Sequence, residues 1–335
     1  MSTTLATHPS AGRIRTILAP LARLRSVTRR DLQIALGVLW LLDGALQAQP
    51  FMFSRGFATQ VLAPVGQGQP GVVSGPVHLA SVVVAASPVV WNLLAAAIQL
   101  LLGIGLLAAR SMRTARLALA ASIGWALGVW YLGEGLSGLA SGHASLLTGA
   151  PGSALLYAVL AAAAWPRGTS AEAPASWLAP AWAVLWVGSA IFQLLPGQNA
   201  GSDVAGLLNT SAGAAPHWVA SLDTSLATWV SRNGTLAVLA LAVTGYLVGV
   251  GALYRRIRPW AVAVGLVLSI AIWVLWQDLG QLYSGQATDP NSAPLIALLA
   301  VVLLALPGSS ERRGHSEFSA SSPPGLRHDA ETRHA

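Results

Sequence analysis

Two carboxylates and a set of side-chain amides are the groups in this sequence whose types and spacing suit chemistry. Asp43 stands between Trp40 and Gln47, and the i, i+3, i+7 spacing puts all three on one helical face. Asp43 precedes Pro50 by seven residues, hence about 10 Å below the outer end of its helix at 1.5 Å per residue. Glu134 belongs to a second stripe, Trp130, Glu134, Ser137 and Ser141, spaced for one face of another helix. Acids inside apolar segments cost about 2.5–3.5 kcal/mol at a bilayer centre, so each needs a reason. Two carboxylates in one low-dielectric cleft favour sharing a proton. Asp43 and Glu134, with Gln47, are therefore candidates to bind a cation, a proton or a polar headgroup. The alternative is interhelical or backbone hydrogen bonding at the water interface.

Both stripes recur later in the chain. Trp40, Gln47 and Pro50 return as Trp186, Gln193 and Pro196, each displaced by 146, and Gly103, Gly105 and Arg110 return as Gly249, Gly251 and Arg256. After a three-residue slip the displacement is 143, relating Trp130 to Trp273, Leu136 to Leu279 and Ala150-Pro151 to Ala293-Pro294. Two gap-free registers predict a tandem repeat. The recurring stripes read Trp186, Ser189, Gln193 and Trp273, Gln277, Gly280, Ser284, with Asp278 one position round the helix. The copies differ in charge: Asp43 and Glu134 in the first face Ser189 and Gln277 in the second. The candidate ligand-binding residues are thus Trp40, Asp43, Gln47, Trp130, Glu134, Gln193, Gln277 and Asp278.

The elements that must position these groups are membrane helices. With 54% hydrophobic and 9% charged residues, the chain lacks the charged surface of a soluble globule. Eight runs are long enough to cross about 30 Å of hydrocarbon, at 32–50, 88–109, 114–133, 148–166, 177–196, 233–253, 259–279 and 291–308. The expected fold is an all-α integral membrane protein of eight transmembrane helices in two four-helix repeats, 31–167 and 177–308. A basic arm precedes them at 1–30 and a Ser-, Pro- and His-rich disordered tail follows at 309–335. The arm's apolar sequel fits a full span and lacks a signal-peptide cleavage pattern.

All 19 basic residues are Arg, and they set the orientation. Six precede the first span; Arg110, Arg113, Arg116, Arg167, Arg255, Arg256 and Arg258 fill alternate loops, and four follow the last span. Only Arg55 and Arg232 lie on the other side, so both termini are expected in the cytoplasm of a bacterium, with the protein multi-pass in its inner membrane. An even number of spans per unit makes the repeats parallel, related by an axis along the membrane normal. The net charge of +7 then suits anionic lipid heads, and nucleic acid is not an expected partner.

Long connections at 51–87 and 197–232 contain moderately apolar stretches, Val72 to Ala86 and Trp218 to Trp229, that suit short helices at the outer leaflet. His78, His143 and His217 all lie on that side, yet none pairs with another or recurs, and no metal is expected. The sequence has no Cys, which excludes thiol redox chemistry and disulfides. The Gly103-x-Gly105 and Gly249-x-Gly251 pairs suit close helix packing rather than nucleotide binding.

The stretch Ala35-Leu36-Gly37 running into Leu39-Trp40-x-x-Asp43-Gly44 resembles the first-helix pattern of DoxX-like membrane proteins. That resemblance implies four-helix membrane units; the family includes subunits associated with quinone-linked sulfur oxidation and members with no assigned role. Three functions follow as expectations. The first is a non-enzymatic accessory or binding scaffold whose outer polar cavity holds a lipid, quinone or small ligand. The second is a proton- or cation-coupled permease using Asp43 and Glu134. The third is an enzyme acting on a lipid-linked substrate, for which Glu134 and His143 form the nearest acid and base. No catalytic set and no cofactor is expected, and protein partners are not legible.

Overall fold

The computed structural model describes residues 27–168, 174–213 and 215–305. The basic arm up to residue 26 and the tail after 305 lie outside the described residues. Among those described there is no strand. The α-helices, in chain order, are α1 (Arg29–Leu46), α2 (Gly71–Ala86), α3 (Pro88–Ala108), α4 (Met112–Leu132), α5 (Ser153–Ala163), α6 (Leu178–Phe192), α7 (Gly201–Ala212), α8 (His217–Arg232), α9 (Gly234–Gly251), α10 (Arg258–Leu275) and α11 (Ser292–Leu304).

Local chemistry sets several of these boundaries. Thr28 caps α1 by accepting from the Asp31 backbone N–H at 3.1 Å, while the Asp31 carboxylate accepts from the Thr28 N–H at 3.0 Å. Ser111 caps α4 through the Thr114 N–H. Pro88 opens α3, where its missing N–H costs nothing. Arg30 closes the other end of α3, its guanidinium donating to the carbonyls of Leu106, Leu107 and Ala109 at 3.1, 2.7 and 2.7 Å. Arg29 donates likewise to the Trp165 carbonyl just past α5.

Four helices are long and apolar enough to cross a membrane: α3, α4, α9 and α10. Helix α1 has the length, with 18 residues, but carries Arg29, Arg30, Asp31 and Asp43. The expected spans at 148–166, 177–196 and 291–308 are shorter helices, of 11, 15 and 13 residues. The reason is position. Helix α5 packs against α4, α1 and α11, and α11 packs against α10, α6 and α5, so both are screened from the surroundings. The segment before α5 is irregular, with a 3-10 turn at Leu146–Thr148.

Three of the four glycines in the small-residue pairs stand at close helix contacts, while Gly105 has only ordinary contact, with Ala118 at 3.8 Å. A Cβ on Gly103 would stand 2.7 Å from Leu41 Cγ and 2.8 Å from the Gly37 carbonyl, so α1 and α3 meet at backbone distance. Gly249 meets the Ala183 carbonyl between α9 and α6 in the same way, at 3.1 Å. Large apolar side chains such as Leu101, Ile104, Leu239 and Val267 point away from the protein. The long connections at 51–87 and 197–232 do form helices: α2 after a π-helical turn at Phe57–Leu62, and α7 followed by α8.

The polar stripes do not continue along α4 and α10 as expected. Helix α4 stops at Leu132, and Leu136, Ser137 and Gly138 take left-handed backbone angles, with φ of 56°, 51° and 79°. Helix α10 stops at Leu275 and is followed by left-handed Asp278, Leu279, Gly280 and Gln281. Ser137, Ser141, Gly280 and Ser284 thus leave the helical face on which the spacing placed them. Left-handed angles at non-glycine residues are costly and concentrate where surrounding structure enforces them.

Candidate functional site

The C-terminal ends of α1 and α4, the N-terminal ends of α3 and α5, and the α2 helix enclose a cavity of about 570 Å³. It lies at the end of these helices opposite the Arg29 and Arg30 caps. Its walls are largely Val, Leu and Ala, with aromatic faces from Phe57, Trp91 and Trp125 and polar groups converging from several elements.

Asp43 is 2% exposed, and its Oδ1 has no hydrogen-bond partner. The Tyr157 hydroxyl of α5 stands beside the Asp43 carboxyl. The Tyr157 ring packs on Trp40 with centroids 4.4 Å apart, and Trp40 Nε1 donates to Ser122 Oγ at 2.8 Å. On α3, Asn92 donates through Nδ2 to the Gln47 carbonyl at 2.7 Å, which leaves its Oδ1 without a partner. Gln47 Oε1 and Gln99 Oε1 are also buried without partners.

Glu134 follows the end of α4 and faces the N-terminus of α5. Its Oε1 accepts from Ser153 Oγ at 2.6 Å and from the Ala154 N–H at 2.9 Å, and Ser137 Oγ donates to Oε2 at 3.3 Å. A carboxylate at a helix N-terminus is favoured by the exposed N–H groups and the dipole. Burial outweighs that help: desolvation first, then the nearby Asp289 charge, push the Glu134 carboxyl up from 4.5 to about 7. Asp289 reaches this cavity from the loop before α11 and is held by Thr288 Oγ1 and the Asn291 N–H, both at 2.8 Å.

Of the predicted residues, Trp40, Asp43, Gln47 and Glu134 come together here. Trp130 braces the site from behind, its Nε1 donating to the Pro151 carbonyl at 2.7 Å. Gln277 is a structural group: Nε2 donates to Ser292 Oγ at 3.1 Å and Oε1 accepts from the Ala293 N–H at 3.1 Å. Gln193 lines a separate cavity of about 360 Å³ with Trp186 and Ser189. Leu241, Gly245, Leu268, Ala271 and Ile272 also line it. No acid lines that second cavity.

Asp278 belongs to neither cavity. It is buried next to Asp223 of α8 and Tyr283, and desolvation followed by the Asp278 charge pushes the Asp223 carboxyl up to about 6. Asp223 and Asp278 thus form an acid pair away from both cavities, and Asp223 is the member that the spacing did not single out. Glu134 and His143 do not converge, because His143 faces a third space of about 350 Å³ with Gln198 and Asp203. The three outer histidines form no metal-binding group, and no cluster of three or more potential ligands occurs among the described residues.

Asn92, Gln99, Tyr157 and Asp289 are among the lining residues that spacing arguments missed. Asn92 and Gln99 carried a usable signal, since they are polar residues seven apart within an apolar run. Tyr157 is a lone ring in an Ala- and Leu-rich helix, and Asp289 arrives from the far end of the chain with no local cue. No protein-family model, no curated protein and no solved structure matches this chain.

Proposed function

We propose that the protein is a non-enzymatic membrane scaffold whose cavity between α1, α3, α4 and α5 holds a small amphipathic ligand from the outer side. The observation that carries this reading is the combination of an apolar cavity of about 570 Å³ with buried polar atoms that have no partner within the protein. Buried polar groups are normally satisfied, so unsatisfied ones on the residues that line a cavity favour an occupant.

In this reading the chain is a duplicated four-helix unit with eight membrane-embedded helices and both termini in the bacterial cytoplasm. Matched contacts support the duplication: Trp130 to Pro151 and Trp273 to Pro290, and Glu134 to Ser153 and Gln277 to Ser292. They also shift the register before the last helix of each unit, pairing Ser153 with Ser292 instead of Ala150 with Ala293. The Arg caps at one end of the helices support the orientation. The first-helix likeness to DoxX-like proteins supports lipid and quinone among the ligands to be considered.

The test is a structure of the full chain in lipid nanodiscs, beside Gly124→Leu and Gly128→Leu variants. Both glycines line the cavity, and a Cβ on either meets nothing within 4 Å, so a side chain can start from either position into open space. Elongated density in the wild-type cavity that the variants abolish is the expected result. A cavity holding only water, continuous to both faces, would overturn it in favour of the permease reading.

A further inference from the structure

The chemistry of the cavity selects among amphipathic ligands. The buried, unpartnered polar atoms on residues that line it are four acceptors, Asp43 Oδ1, Gln47 Oε1, Asn92 Oδ1 and Gln99 Oε1, and two groups that can donate, Trp125 Nε1 and the Tyr157 hydroxyl. The bond from Asn92 Nδ2 to the Gln47 carbonyl fixes which end of the Asn92 amide is the oxygen. All four acceptor residues are at most 6% exposed. Glu134 and Asp289 add carboxyls to the same lining, and none of the lining residues is basic. Three carboxyls and no base favour a cationic polar end over one that only accepts hydrogen bonds, such as a quinone carbonyl, for which the lining residues offer two unpartnered donors, Trp125 Nε1 and the Tyr157 hydroxyl. A phosphate-bearing headgroup would bring a further negative charge among carboxyls.

We propose that the cavity takes a lipophilic ammonium ion, a primary or secondary amine carrying an apolar chain, with its N–H groups on Asp43 and the neighbouring amide oxygens. This rests on the reading of the cavity as a ligand site and names the class of ligand. Charge-assisted N–H to oxygen bonds are the strong ones, and they gain further where water is excluded. Trp40, Trp91 and Trp125 line the cavity, and an aromatic ring attracts a cation to its face, while Leu79, Val83 and Leu132 suit the chain. A bare metal ion would leave this apolar volume unfilled, and the lining offers no compact ligand set for one.

The experiment uses the purified full chain in uncharged maltoside micelles at pH 7.5, titrated calorimetrically with decylammonium and with decanol, which share a chain and differ in the polar end. Decylammonium is expected to bind at least about tenfold tighter than decanol, a difference of the size that one charge-assisted hydrogen bond supplies. Asp43→Asn should erase that preference to within about threefold, while Asp223→Asn, outside the cavity, should retain it. Decanol binding as tightly as decylammonium to the wild type overturns the ammonium assignment and leaves the cavity a ligand site. Failure of both to bind, or binding undiminished in Gly128→Leu, overturns the site itself. The wild-type comparison decides the ligand class even if Asp43→Asn fails to fold.

Discussion

Glu134 Oε1 lies 2.6 Å from Ser153 Oγ, and this contact joins the end of α4 to the first turn of α5. Gln277 and Ser292 make the matching contact between α10 and α11 with a neutral amide, at 3.1 Å. The protein thus already contains the uncharged version of the Glu134 joint. A glutamine at 134 can accept from the Ala154 N–H and donate to Ser153, as Gln277 does with Ala293 and Ser292.

The Glu134→Gln variant should therefore fold, and it should lose a pH dependence that the wild type has. The folded carboxyl titrates at about 7 against 4.5 for an ordinary one. Between those values the folded state holds a proton that the unfolded state has released. Stability is then fully present below about pH 4.5 and falls as the pH rises to about 7, by at most on the order of 3 kcal/mol. Thermal unfolding in maltoside micelles from pH 4.5 to 8 should show this decline in the wild type, with a smaller slope in Glu134→Gln. An unchanged slope would assign the dependence to another group.

Ser122 is fully buried and serves Trp40 Nε1, while Trp186 Nε1 is buried with no partner. Ser122→Ala should cost about 1–3 kcal/mol, the price of leaving one buried donor unsatisfied. It should also loosen the Trp40 and Tyr157 stack at the cavity floor. Loss of a resolved near-ultraviolet aromatic band, with helical content retained, is the measurement that checks it.

The long helices were legible because their signals are local. Pro88, the apolar run after it and Ala109 set α3 at Pro88–Ala108, against an expected 88–109. The Trp, Asp and Gln of α1 share a face and do line one cavity. What the pattern could not carry was chain reversal by non-glycine residues: nothing about Leu136-Ser137 or Leu279 announces a left-handed angle, because the neighbours impose it. The same limit hid the shortness of α5 and α11. Their apolar composition suits a lipid-facing span equally well, and only the fold shows them as helices of 11 and 13 residues packed against each other and their flanking helices. Asp289 stayed hidden for a related reason, since the loop that brings it to Asp43 and Glu134 is fixed by tertiary contacts such as Gln49 to the Ala287 carbonyl.

Gly103 and Gly128 are both glycines in long apolar helices, and substitution should separate them. A Cβ at Gly103 meets the Gly37 carbonyl at 2.8 Å, where only a shift of backbone can relieve it, whereas a Cβ at Gly128 meets nothing within 4 Å. Gly103→Ala should lower stability by about 1–3 kcal/mol through overpacking between α1 and α3. Gly128→Ala should leave it unchanged or raise it by up to about 1 kcal/mol, since alanine restricts the unfolded chain. Equilibrium unfolding in mixed micelles checks both.

Arg30 closes the C-terminal end of α3 with bonds to three carbonyls, and no other side chain reaches Leu107 among the bonds described. Arg30→Gln keeps a polar group but lacks the charge and the forked reach. The carbonyls of a helix end need donors, and a cation there also interacts favourably with the dipole. The substitution should cost about 1–2 kcal/mol and should fray the last turn of α3 before any other part of the helix. Amide hydrogen exchange in micelles tests this directly: exchange should accelerate at Leu106 to Ala109 and stay slow at Leu94 to Leu101. Uniform acceleration along α3 would show instead that Arg30 holds the whole α1 and α3 pair together.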